Sequence, residues 1–183
     1  MEPVAHWHAE HANFRRLLDI LQKQLDTFHE GGQPNYELML DIVTYLHHFS
    51  DRFHHPREDL AFARLARHDP KMRIALNRLR QEHRVIAAAG EDLRRDLTEV
   101  IAGTLVARAS VEAAAAVFLV YYRHHIAFED QEVLPRAAEL LTAEDWAAVA
   151  AVVPHGTDPL FGKRGGEGYR ELRHHIAVEA RGE

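Results

Sequence analysis

Apolar positions along this chain recur in steps of three and four, and no stretch alternates apolar and polar with β-branched residues, so the pattern predicts helices and no strands. Proline and glycine break the pattern at Gly31-Gly32-Gln33-Pro34, at Asp69-Pro70 and from Pro154 onward. A first helix is predicted from about Pro3 to Glu30, with Phe14, Leu17, Leu18, Leu21, Leu25 and Phe28 on one stripe. A second runs from Tyr36 to Arg67 and carries Leu38, Ile42, Leu46, Phe49 and Phe53. The third, from Pro70 to Ala102, places Met72, Leu76, Leu79, His83, Ile86, Gly90, Leu93 and Leu97 in the alternating steps of a bundle seam. The fourth extends from a Ser110 cap to Leu140 and includes Phe118, Tyr121, Tyr122, His125 and Phe128. Thr142 and Asp145 resemble a capping box that opens a short fifth helix to Val153.

Helices of about thirty residues span about 45 Å each, and loops this short force neighbours to run antiparallel. The expected fold is all-α: an antiparallel up-down-up-down four-helix bundle with a short fifth helix, over residues 1–153. Residues 154–183 hold five of the ten glycines between Gly156 and Gly168, then one further short helical pattern through Tyr169 to Ala180. They are expected to form a tail, folded against the bundle or mobile.

Composition narrows the chemistry. A chain of 183 residues with 46% hydrophobic content can bury one sizeable core. A net charge of −6 offers no basic footprint for nucleic acid. No run of eighteen apolar residues and no secretory leader is present, which predicts a soluble cytoplasmic protein without a membrane partner. Cysteine is absent, so thiolate metal sites and thiol catalysis are excluded, and any metal must be held by nitrogen and oxygen. Gly162-Lys163-Arg164 lacks the rest of a phosphate loop, the glycines at 165, 166 and 168 follow no strand, and no GxSxG occurs. Fifteen histidines remain to be explained.

A histidine four residues before a glutamate puts both side chains on one helix face, about 40° apart, where they can grip one ion. About one or two such pairs arise by chance in a chain this rich in histidine. Four occur: His6/Glu10, His54/Glu58, His125/Glu129 and His175/Glu179. An internal repeat separates signal from noise. Glu10-His11 matches Glu82-His83 at an offset of 72, while His54 matches His125 and Glu58 matches Glu129 at an offset of 71. Each half of the chain is a helical hairpin offering two histidines and one glutamate. Folded together, the hairpins bring His11, His54, Glu58, His83, His125 and Glu129 to one level of the bundle interior. Bundles build dimetal sites in this way, and each carboxylate has two oxygens with which to bridge.

Taken singly, each residue has a plainer reading. His83 reads as a core histidine bonded to a carbonyl. His11 lies about 70° from the centre of its stripe and reads as a boundary residue. His54 lies at the edge of its stripe, yet Glu58, Ala61 and Leu65 continue a stripe that includes it, as if the apolar face rotates near Pro56, where a proline predicts a kink. As a set the six point to metal, since an unpaired carboxylate in a bundle interior is expensive.

The succession of Glu10-His11, then HHPRED at residues 54–59, then Glu82-His83, then HIAFED at residues 125–130, resembles the hemerythrin-like proteins, or HHE cation-binding domain, over roughly residues 5–140. The resemblance implies a bundle around two non-haem iron ions bridged by Glu58 and Glu129, with His11 and His54 on one ion and His83 and His125 on the other. Oxygen-carrying hemerythrins have a further histidine four residues after the third-helix ligand and close with HxxxxD. Here position 87 is Ala87 and the last motif is HxxxE. About two histidines per ion and more open positions are therefore expected, which resembles the branch that handles nitric oxide, peroxide or iron rather than the reversible oxygen carriers. A nitrogen and oxygen donor set favours iron, with manganese or zinc less so.

The expected ligand is a small diatomic or peroxide: O2, NO or H2O2. Turnover by a di-iron enzyme, and non-catalytic binding as an iron sensor or reservoir or as a reversible oxygen carrier, are both open readings, as is a homodimer. A metal-free helical interaction module is a third. One of Tyr121 and Tyr122 is expected to face the site, more as core packing than chemistry. His8, His47, His55 and His124 are expected to lie around the ligands or at the surface, and His174-His175 in solvent.

Overall fold

The computed structural model describes residues 3–153, 158–162 and 169–181. Among the described residues all regular structure is helical. Helix α1 spans Pro3–His29 and α2 spans Tyr36–Phe49. A π-helical turn over Ser50–His54 leads into α3 at His55–His68. A 3-10 turn at Pro70–Met72 precedes α4 at Arg73–Ile101. Helix α5 covers Arg108–Phe128 and passes through a second π turn, Glu129–Val133, into α6 at Leu134–Leu140. Helices α7, Ala143–Val152, and α8, Arg170–Arg181, follow.

Local chemistry sets these boundaries. The Asn35 side chain accepts from the Leu38 N–H and opens α2. The expected Thr142–Asp145 capping box forms in both directions at the start of α7. Gly31 and Gly103, each at φ 80°, take the left-handed conformation that ends α1 and α4. The fourth helix starts at Arg108 rather than at a Ser110 cap, because the Ser110 hydroxyl is engaged with Asp96 on α4 at 2.5 Å.

The kink expected at Pro56 takes a specific form. Pro56 and Pro135 are each the second residue of a helix that follows a π turn. A proline ring clashes with the carbonyl four residues back, and a wider turn relieves that clash. His55 N–H donates to the Ser50 carbonyl and Leu134 N–H to the Glu129 carbonyl, each five residues back. Each wide turn holds one extra residue, which advances the buried face along the helix. Leu38, Ile42, Leu46 and Phe49 are buried before the first turn; His54 at its end and Glu58, Ala61 and Leu65 beyond it are buried as well. The rotation read near Pro56 is this turn.

Two apolar clusters form. One gathers Phe14, Leu18, Ile42, Leu46, Phe49, Ile86, Leu93, Phe118 and Ile126. The other gathers Trp7, Ala61, Phe62, Leu65, Leu76, Leu79, Val133 and Leu134. Helix α1 passes from the second cluster (Trp7) to the first (Phe14); α2 and α3 return from Phe49 to Ala61. Helix α4 passes from Leu79 to Ile86, and α5 with α6 returns from Ile126 to Val133. Between the clusters, at His11, His54, Glu58, His83 and Glu129, every pass is polar and buried. Packing of α4 on α5 is close enough that a Cβ at Gly90 would lie 3.0 Å from the Phe118 ring.

The described part of the tail lies against this frame. Leu160, Leu172 and Ile176 join the first cluster. The Asp158 carboxylate accepts from Tyr45 Oη at 3.1 Å and from the N–H groups of Leu160 and Phe161 at 2.8 and 2.9 Å. His174 is exposed as expected, and His175 is half-buried. The glycines at 156, 165, 166 and 168 lie outside the described residues. No helix among those described is long and apolar enough to cross a membrane.

Candidate metal centre

Four helical passes deliver the six residues singled out by the repeat to the polar layer, and five of them are at most 1% exposed, with His83 at 6%. They fall into two nests that share the glutamates. In the first nest His11 Nε2 and His54 Nε2 lie 3.0 Å apart. Glu58 Oε1 is 3.3 Å from the former and 3.0 Å from the latter, and Glu129 Oε2 is 3.5 Å from His11 Nε2. In the second, His83 Nε2 and His125 Nε2 are again 3.0 Å apart. Glu129 Oε1 is 3.1 Å from His125 Nε2 and 3.9 Å from His83 Nε2, while Glu58 Oε2 is 3.6 Å from His83 Nε2. Each carboxylate thus turns one oxygen to each nest.

A ring of carboxylates, unassigned in the sequence reading, surrounds the histidines. His11 Nδ1 is 2.8 Å from Asp130 and His54 Nδ1 is 2.7 Å from Glu10. His83 Nδ1 is 3.2 Å from Asp59 and His125 Nδ1 is 3.2 Å from Glu82. An ionised carboxylate only accepts, so each Nδ1 carries the proton and each Nε2 turns a lone pair inward. The same repeat supplies these four: Glu10 and Glu82 precede the helix α1 and α4 histidines, and Asp59 and Asp130 follow Glu58 and Glu129. Each also meets an arginine: Arg57 at Glu10, Arg15 at Asp130, Arg78 at Glu82 and Arg80 at Asp59. The arginines balance the outer carboxylates and leave Glu58 and Glu129 as the uncompensated charges.

Two pairs of inward lone pairs at 3.0 Å, flanked by two buried carboxylates, make an electron-rich pocket. All four oxygens of Glu58 and Glu129 are buried without a hydrogen-bond partner. Without a metal, protons are drawn there. Burial disfavours the charged ring of His11, but Asp130, Glu58 and Glu129 outweigh it and carry its pKa up to about 10. His83 rises to about 10 against the same burial, through Asp59, Glu58 and Glu129. Burial would raise Glu58, yet His54, His11 and His83 hold it well below the usual carboxylate range. Orphaned oxygens and inward imidazoles are the donor set a cation satisfies, and they fit a hard to borderline metal.

The other candidates separate. Tyr122 is buried with its ring 6.1 Å from that of His55, whereas Tyr121 is 40% exposed on the far side. His8 and His124 are exposed beside Asp130 and Glu82. His47 reaches Asp51 at 2.8 Å. Of the two places expected for His55, around the ligands or at the surface, it takes the first: it is 4% exposed and stacks on His83 with ring centroids 4.0 Å apart. The π turn, which no spacing rule signals, brings the successive residues His54 and His55 both inward. A cavity of about 200 Å³ lies beside the second nest, lined by Asp51, His55, Asp59, His83 and Ala87 among others.

No curated protein and no solved structure matches the chain. A family model does, described as the Hemerythrin HHE cation binding domain, and it matches residues 2–137, the stretch that holds both nests and their outer carboxylates. The chain belongs to the hemerythrin HHE cation-binding family.

Proposed function

We propose that the protein is a cytoplasmic di-iron protein that binds or reacts with a small oxidant, O2, NO or H2O2. His11 and His54 would hold one ion, His83 and His125 the other, with Glu58 and Glu129 bridging. The observation that carries this reading is the sharing of the two glutamates: each directs one orphaned oxygen to each imidazole pair. The alternation of passes between the two apolar clusters supports an antiparallel up-down-up-down four-helix bundle, over residues 1–153, as the frame.

Iron bound there would supply electrons to an oxidant. The chain's own contribution is position and exclusion. Asp130, Glu10, Asp59 and Glu82 fix the imidazole tautomers. The apolar clusters above and below keep water out. The cavity at Ala87 gives a small molecule an approach to the second nest that a bulkier residue there would close. The alternative is a non-catalytic sensor or reservoir with the same ligands. Steady consumption of peroxide or NO by the purified iron-loaded protein is expected for turnover; stoichiometric binding without consumption favours the alternative.

A further inference from the structure

Five buried histidines, not four, share one feature. His11, His54, His83 and His125 each rest Nδ1 on a carboxylate and turn Nε2 toward the cluster. His55 shares the first of these features. Its Nδ1 lies 3.1 Å from Asp51 Oδ1, and its Nε2 is buried with no partner. One of its ring nitrogens, with donor atoms of Glu58, His83 and His125, falls in a group whose members all lie within 4.8 Å of one another. Since Nδ1 is engaged by Asp51, Nε2 is the free donor. An imidazole whose one nitrogen is buried and unsatisfied calls for an explanation, and no protein group supplies it.

We infer that His55 is a third imidazole ligand of the second ion, oriented by Asp51, so that the two metal positions are chemically unequal. This rests on the di-iron reading. The repeat shows where the inequality arises. At the offset of 71 that pairs His54 with His125 and Glu58 with Glu129, the counterpart of His55 is Ile126, which cannot ligate and is buried in the first apolar cluster. Phe14 closes the first nest, its ring 4.9 Å from that of His54. The first ion therefore has two imidazoles behind an apolar wall. The second has three and borders the cavity lined by His55 and Ala87. A donor stacked 4.0 Å from His83 reaches the open side of that nest, where an incoming ligand also arrives. His55 thus sets both the coordination number of the second ion and the space left for a small molecule.

The test uses the full chain loaded with ferrous iron-57 under argon and read by Mössbauer spectroscopy. The wild type is expected to show two ferrous doublets of equal area. In His55→Ala one doublet moves while the other stays, a chelator removes that iron at least about ten-fold faster, and added imidazole restores the wild-type spectrum. Unchanged doublets and unchanged chelation in the variant overturn the assignment of His55 alone. A wild type that takes up no iron overturns the di-iron reading together with it. Should His55→Ala not fold, a crystal structure of the iron-loaded wild type decides: His55 Nε2 within bonding distance of one iron is the expected result, and His55 Nε2 turned away from both overturns it.

Discussion

At the scale of single residues, the centre depends on which nitrogen of each histidine carries its proton. Asp130 orients His11 from the opposite hairpin, and Glu10 orients His54 from within its own. Asp130→Asn leaves a side chain of the same shape whose amide can face Nδ1 with a donor, which turns the wrong tautomer inward. Iron affinity measured by competition with a chelator is expected to fall about 10–100-fold, with the fold intact by circular dichroism. Protons and metal also compete for the same atoms. In metal-stripped protein His11 and His83 keep their protons up to about 10, whereas an unfolded histidine releases its proton near about 6.5. The resulting stabilisation is complete below the unfolded value and is lost as pH rises toward the folded one. Glu10 and Asp130, held at about 2, act oppositely: their contribution is present above the unfolded carboxylate range and is lost as pH falls toward 2. Thermal denaturation of stripped protein should thus show a maximum between these limits and decline from neutral pH upward. A melting temperature that climbs steadily from pH 6.5 to 9 would contradict these proton assignments.

At the scale of elements, the helices and the six shared-site residues could be read from periodicity and from the repeat at 71 and 72. Such a reading assumes an uninterrupted 3.6-residue turn. The two π turns violate that assumption just where the site is built, placing His54 and Glu129 inside them. The proline was visible in the sequence, but the wide turn it is paired with depends on backbone hydrogen bonds that side-chain spacing does not encode. For that reason spacing alone leaves His55 either around the ligands or at the surface. The four outer carboxylates were in view as part of the matched motifs, yet their role needed the Nδ1 partners. Pro56→Ala restores a backbone donor and removes the ring clash, so the first wide turn can tighten and withdraw His54 from the layer. Retention of iron is expected to drop while helix content holds; undiminished retention would show that packing alone keeps the turn open.

At the scale of the molecule, a polar layer between two apolar clusters is costly unless its charges are satisfied. The bundle is therefore expected to gain stability from the metal it holds, since anything that binds only the folded state stabilises it. The tail contributes separately. Asp158 ties residues 158–162 to Tyr45 on α2, which belongs to neither nest. Asp158→Ala should cost about 1–3 kcal/mol in denaturant unfolding with iron content unchanged, and a loss of iron would mean that the tail and the centre are coupled. The most direct measurement of the central claim is elemental iron per chain in protein reconstituted with ferrous iron, compared with Glu58→Ala and Glu129→Ala. Shared glutamates predict two irons in the wild type and loss of both, together, in either single variant. One iron retained in each variant, or none bound by the wild type, would contradict a centre bridged by these two carboxylates.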